Sequence, residues 1–195
     1  MHSLNWYILA ACWGGFFVVW ALGGLYNLWK APAVQKRSPF VPYLVGGLIA
    51  AFLFDRLIPG YLWAAAQFNL HLLQVLGAAI LLISTGFTLW ARLSLGTMWS
   101  SVPETKVDHQ LRTQGPYAVT RHPMYSGTVG MLLGSMLMNG FSPWILFFLI
   151  GLFVVLSKVH SEERLLEESF AGQYQEYRRR VPQLVPGLRL FKREN

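Results

Sequence analysis

Long stretches without a single charged side chain constrain this chain more than anything else in it. Residues 1–29, 40–54, 57–91 and 122–157 contain no Asp, Glu, Lys or Arg. A helix needs about 20 mostly apolar residues to cross the hydrocarbon core of a bilayer, so stretches of this length predict membrane helices. The composition agrees: 13% of the 195 residues are charged and 54% are hydrophobic. A soluble domain carries about 25% charged residues. A soluble globular domain is therefore excluded, and so is a disordered chain, which needs the opposite balance.

Turn signals divide these stretches. The first predicts one helix over residues 5–28, with no basic leader region or small-residue cleavage site, which reads as an anchor and not a signal peptide. The second is long enough only if it continues through Asp55 and Arg56 to residue 58. Pro59-Gly60 breaks the third, and after the polar step at Gln67 and Asn69 a helix is expected over residues 70–93. In the fourth, Asn139-Gly140-Phe141-Ser142-Pro143 is a turn with a proline ready to open the next helix, which predicts a hairpin of residues 124–138 and 143–160. The expected fold is all-α and integral to the membrane. It has five transmembrane helices, the last two a hairpin, and a cytoplasmic C-terminal helix.

The basic residues set the orientation. Fifteen of the sixteen Lys and Arg fall in three places: the loop after the first helix, the segment between the third and fourth, and the C-terminal tail. Only Arg56 falls on the other side. Cytoplasmic loops carry the excess of Lys and Arg, so the N-terminus is expected outside and the C-terminus in the cytoplasm. The net charge of +7 then reads as orientation and attraction to anionic lipid. No nucleic-acid motif accompanies it. The single cysteine, Cys12, excludes an internal disulfide and reads as a small buried hydrophobe.

Two cytoplasmic segments hold the residues that can do chemistry. In the first, Gly115-Pro116-Tyr117 makes a turn and Arg121-His122-Pro123 opens a helix. A helix N-terminus at a membrane surface suits anionic groups. Arg121 can hold a carboxylate or phosphate, or snorkel to lipid, and His122 can move a proton or cap the helix. Tyr125 follows one turn on. In the second, Lys158 and Glu162 share a helix face, and Glu162-Glu163 can bind an ammonium group or form a solvated face. Phe170, Tyr174 and Tyr177 make an amphipathic stripe that ends in Arg178-Arg179-Arg180. His109, His122 and His160 have no metal-ligand spacing, and no metal is expected.

Read together, GPYAVTRHPMYSG, a short helical hairpin, and EERLLEESFAGQYQEYRRRVPQLVP resemble the isoprenylcysteine carboxyl methyltransferase and phospholipid methyltransferase superfamily. The resemblance covers residues 93–186. It divides the chain into membrane helices over residues 1–92 and a cofactor-binding and catalytic part over residues 93–195. It implies an integral membrane enzyme that uses S-adenosylmethionine, leaving S-adenosylhomocysteine, without a dinucleotide-binding domain. The chain indeed has no glycine-rich strand-to-helix fingerprint.

By the same resemblance, cofactor contacts fall on Glu104, Thr105, Lys106 and Val107, on His109 and Leu111 of the His-Gln-Leu that follows, on Tyr117, on His122, Pro123, Met124 and Tyr125, and on Glu162 and Glu163. Arg121, His122, Tyr125 and Glu163 are the implied catalytic residues. Arg121 and Lys158 are the implied substrate contacts. In carboxyl methyltransferases of the family an Arg stands where this chain has Lys158, which keeps the charge and loses the bidentate fork.

Methyl transfer from a sulfonium is an in-line displacement in which a protein mainly positions and desolvates. A carboxylate or thiolate acceptor needs no base, whereas an amine must lose a proton, for which His122 is the best-placed residue. The expected acceptor is lipophilic, an isoprenylcysteine-type carboxylate or a phospholipid amine. It enters laterally from the lipid bilayer of a bacterial or archaeal inner membrane. The competing readings are an NADPH-dependent membrane reductase akin to sterol reductases, and a non-enzymatic transporter or assembly protein. Reductases of that kind are longer, and a transporter needs charges along an intramembrane path, of which only Asp55-Arg56 offers any.

Overall fold

The computed structural model describes residues 2–30, 34–37, 70–96, 104–106, 111–140 and 144–187. In chain order the elements are α1 (His2–Lys30), β1 (Val34–Arg37), α2 (His71–Leu95), β2 (Glu104–Lys106), α3 (Pro116–Val119), α4 (Pro123–Asn139) and α5 (Trp144–Arg180).

Three stretches among the described residues are long and apolar enough to cross a membrane: Leu4–Asn27 in α1, His71–Leu95, and Trp144–Phe170 in α5. They correspond to the expected first, third and fifth spans. The expected fourth is α4, whose 17 residues rise only about 26 Å against a hydrocarbon core of about 30 Å. The expected second span, with Asp55 and Arg56, lies outside the described residues, as does the turn at residues 141–143.

The expected fifth span, residues 143–160, and the expected cytoplasmic C-terminal helix are one element: α5 is a single helix of 37 residues. No proline interrupts residues 144–180, Glu-Glu-Arg-Leu-Leu-Glu-Glu favours helix, and Pro182 is the first stop. The helix therefore carries its register from the apolar part into the polar part without a joint. Beside the helices the described residues form one short two-stranded ladder. β1 and β2 pair antiparallel, with Val34 opposite Lys106, Lys36 opposite Thr105 and Arg37 opposite Glu104, and an irregularity between Val34 and Lys36. Two polar segments flanking membrane helices have backbone groups to satisfy, and pairing does so.

The tightest packing joins α2 and α4. Water supplies no drive for helix association in lipid, so close backbone approach through small residues takes its place. Gly77 meets Gly134 so closely that a Cβ on either would lie 2.7 Å from the carbonyl oxygen of the other. Gly127 and Gly130, on the same face of α4, fit against Thr88 and Ser84 of α2. The third helix, α1, lays Leu9 and Cys12 against Leu81, Met131 and Met138. Trp13 Nε1 donates to Ser135 Oγ at 3.0 Å, tying α1 to α4. Cys12 is accordingly a buried core residue. This packing fixes the height at which α4 begins, and the candidate site sits at that beginning.

Candidate active site

Gly115 takes a positive φ of 63°, a turn that suits glycine, and Pro116 opens the short α3. Thr120, Arg121 and His122 then lead into α4, with Pro123 in its first turn. His122 occupies the N-cap position, yet its side chain makes no cap hydrogen bond. The ring turns instead to α5. His122 Nε2 lies 3.3 Å from Glu163 Oε1, and Nδ1 lies 3.5 Å from Glu162 Oε2.

Arg121, with a side chain only 4% exposed, pairs with the same carboxylate. Its Nε and Nη2 donate to Glu163 Oε1 at 3.0 and 2.7 Å. Tyr125, one turn into α4, donates to Glu162 Oε1 at 2.5 Å and stacks on His122 with centroids 5.9 Å apart. Lys158 Nζ stands 5.3 Å from the centroid of the Tyr125 ring, a cation–π distance. Thus α4 supplies the basic and aromatic groups and α5 the two carboxylates and the lysine. Each Glu oxygen Oε1 takes a strong hydrogen bond, while Glu162, with its side chain 24% exposed against 11% for Glu163, is the more open carboxylate.

A return of the chain after α5 closes one side. The Pro182 carbonyl accepts from the Arg121 amide at 2.9 Å, and the Gln183 carbonyl from the His122 amide at 3.2 Å. Ser126 Oγ donates to the Leu184 carbonyl at 2.5 Å. Arg121 Nη1 reaches the carbonyls of Val181 at 2.7 Å and Arg178 at 3.3 Å. The backbone amides of residues 121 and 122, just before α4, thus face carbonyl oxygens of residues 182 and 183.

Tyr117 is buried. Its hydroxyl lies 3.4 Å from the Ala91 carbonyl, and its own carbonyl accepts from Tyr177 at 2.6 Å, which links α3 to α2 and α5. Burial, with the charge of Glu162 added, holds the Tyr117 phenol neutral by pushing its pKa up. Glu104, Thr105 and Lys106 form β2, which lies against α5. Pro123 is buried and Met124 half-buried at the start of α4, and Leu111 is half-buried in the approach to α3. Val107 and His109 lie outside the described residues. Arg121, His122, Tyr125, Lys158, Glu162 and Glu163 therefore come together around one point.

Sequence reasoning missed how far α5 belongs to the site. Val155, Val159, Glu163, Tyr174 and Tyr177 are all buried and share one helical stripe. Running the stripe of Phe170, Tyr174 and Tyr177 backwards at the same spacing reaches Glu163, and that signal was available. Tyr174 has no exposure, and burial and then the charge of Glu163 raise its pKa. Its hydroxyl makes no hydrogen bond of acceptable geometry among the described residues. The backbone carbonyls after residue 177 left no sequence signal at all.

Burial opposes charge on His122, yet hydrogen bonds and charges from Glu162 and Glu163 together outweigh it and raise its pKa. Above about pH 6.5 the folded chain keeps a proton that an unfolded histidine loses. Stability therefore falls as the pH rises toward the folded value, the fold binding more protons than the unfolded chain. The thermal midpoint is expected to drop as the pH rises above about 6.5, and His122→Asn to flatten that slope. An equal slope in the variant would assign it to another group.

The phospholipid methyltransferase family model matches residues 72–173, more than half of the chain, and that range holds every residue of this cluster. The chain belongs to the phospholipid methyltransferase family. The Schizosaccharomyces pombe protein-S-isoprenylcysteine O-methyltransferase is 34% identical over 99 residues, 49% of this chain and 42% of that protein. Methanethiol S-methyltransferase 2 of Bradyrhizobium diazoefficiens is 33% identical over 172 residues, 83% of this chain and 63% of the relative. The solved structure of the eukaryotic intramembrane Ras methyltransferase, isoprenylcysteine carboxyl methyltransferase, shares the fold. Its TM-score is 0.57 at 23% identity, covering 95% of this chain and 70% of the other. The chain spans between two fifths and three fifths of the length of the curated isoprenylcysteine methyltransferases it matches. Family membership agrees with the resemblance carried by the two motifs. The part of the site formed by Tyr174, Tyr177 and residues 181–184 lies beyond the matched range.

Proposed function

We propose that this family member transfers a methyl group from S-adenosylmethionine to a lipophilic acceptor at the cytoplasmic face of the membrane. The observation that carries the reading is the pairing of Glu162 and Glu163 with His122, Arg121 and Tyr125 within the family-matched range. The donor set fits the methyl donor. Glu162, the more open carboxylate, suits an ammonium group, and the Tyr125 ring already takes a cation, Lys158, near its face. Glu162, Tyr125 and Tyr117 are the residues that would hold it. When bound, S-adenosylmethionine supplies an electrophilic methyl group on a positively charged sulfur.

The chain's own residues then have separable tasks. Glu162 neutralises the ammonium, and the buried surroundings keep water from the reacting atoms, where charge is lost as the methyl moves. Glu163 holds His122 in place. Lys158 offers an acceptor carboxylate or phosphate a single positive charge. With its pKa raised by Glu162 and Glu163, His122 holds its proton more tightly than a free imidazole and is the poorer base for it. A carboxylate or thiolate acceptor therefore suits the site better than a protonated amine. The apolar part of the acceptor reaches the site from the bilayer, with the N-terminus outside and the C-terminus cytoplasmic.

Calorimetric titration with S-adenosylhomocysteine in detergent tests this. Saturable binding is expected, with Glu162→Gln weakening it by about tenfold or more, the weight of one charge-assisted hydrogen bond. Absence of binding by folded protein, or binding of NADPH in a parallel titration, would overturn the reading.

A further inference from the structure

We propose that Arg121 is a positioning residue that fastens residues 181–184 over the site, and is not the ligand of the acceptor's anionic group. The inference deepens the methyl-transfer reading and rests on it. Guanidinium has five N–H donors. In Arg121, Nε and Nη2 are given to Glu163 Oε1, and Nη1 serves the Val181 and Arg178 carbonyls. Four of the five are thus engaged, so an acceptor carboxylate or phosphate could take a bidentate hold only by displacing a buried contact, and it would then face Glu163 at close range, a like charge in a poorly screened site.

The strap of residues 181–184 is held by more than Arg121. The backbones of residues 121 and 122 donate to it at 2.9 and 3.2 Å, and Ser126 Oγ at 2.5 Å. Leu184 is buried in a cluster with Val155 and Val159, and Tyr125 and Val129 pack against that cluster. One segment therefore touches the backbone that carries His122, the serine one turn on, and the packing around Tyr125. Arg121 joins this strap to Glu163, so both carboxylate and strap take their positions from one side chain. Binding of an acceptor anion falls to Lys158, whose ammonium stands 5.3 Å from the centroid of the Tyr125 ring.

The test uses the full chain in detergent, comparing wild type with Arg121→Lys, Ser126→Ala and Lys158→Gln. Arg121→Lys keeps the charge and loses the fork that spans Glu163 and the strap. It is expected to weaken S-adenosylhomocysteine binding, measured without acceptor, by about tenfold. Amide exchange at residues 121 and 122, whose donors meet the strap carbonyls, is expected to accelerate by a similar factor. Lys158→Gln should instead raise the KM of an anionic lipid acceptor and leave that exchange unchanged.

Product affinity and exchange equal to wild type in Arg121→Lys, with a raised acceptor KM, would overturn the proposal. If Arg121→Lys does not fold, Ser126→Ala decides. It removes one strap hydrogen bond and no charge, and faster exchange at residues 121 and 122 with a retained cooperative melt supports the strap, while unchanged exchange overturns it. Should wild type bind no S-adenosylhomocysteine, the methyl-transfer reading fails, and the exchange measurements still decide whether Arg121 fastens the strap.

Discussion

Glu163→Ala is expected to destabilise the protein by about 3–5 kcal/mol, the range seen when one partner of a buried ion pair is removed. Glu163 Oε1 takes Arg121 Nη2 at 2.7 Å, Arg121 Nε at 3.0 Å and His122 Nε2 at 3.3 Å. Both basic side chains are only 4% exposed, so neither can turn to water when the carboxylate goes. The cost is that of stranded positive charge, which exceeds the net worth of the pair itself. Glu163→Gln keeps an acceptor oxygen and should fall between wild type and alanine. Unfolding in detergent, followed by heat or denaturant at about pH 7, measures both. A loss below about 1 kcal/mol for Glu163→Ala, the level of an exposed pair, would contradict the buried arrangement.

Gly134→Val is expected to cost about 3 kcal/mol and to weaken product binding as well, because the overpacked element carries the site. A Cβ at residue 134 would stand 2.7 Å from the Gly77 carbonyl oxygen and 2.7 Å from the Leu81 amide nitrogen. These are backbone atoms of α2 and cannot rotate away, so α2 and α4 must part. Separation moves Arg121, His122 and Tyr125 relative to α5 and loosens packing that lipid does not replace. Gly14→Val is the control: nothing lies within 4 Å of the added carbon, and the change should be nearly neutral. Equal melting of the two variants would show that the α2–α4 contact is not as close as described.

Much of this arrangement was legible in the residues. Charge-free stretches located α1, α2 and the apolar part of α5, because burying a charge in hydrocarbon is costly enough to leave a gap in the sequence. Pro123 marked the start of α4, since proline tolerates the first turn of a helix and little else in it. The short motifs around Arg121 and Glu162 singled out side chains that the fold brings within hydrogen-bond distance across about 40 positions of chain. The uninterrupted length of α5 was legible too, from the absence of proline before residue 182. The pairing of β1 with β2 was not, because strands of only four and three mostly polar residues carry no period that distinguishes them from loop.

What the sequence by itself determined is the solvent and the inventory: a membrane-spanning helical chain with its basic, aromatic and acidic groups gathered in two segments. Periodicity and charge are local properties, readable one window at a time. Only the tertiary structure decided what each group does to the others. Arg121 looked open to an anion, and the fold engages it with Glu163 and with the carbonyls of Val181 and Arg178. His122 looked like a cap or a base, and the fold sets it between two carboxylates that hold its proton. Those outcomes depend on backbone carbonyls and on the distance between two helices. No residue type announces either, because every residue has the same carbonyl and a helix's position is set by its neighbours' packing.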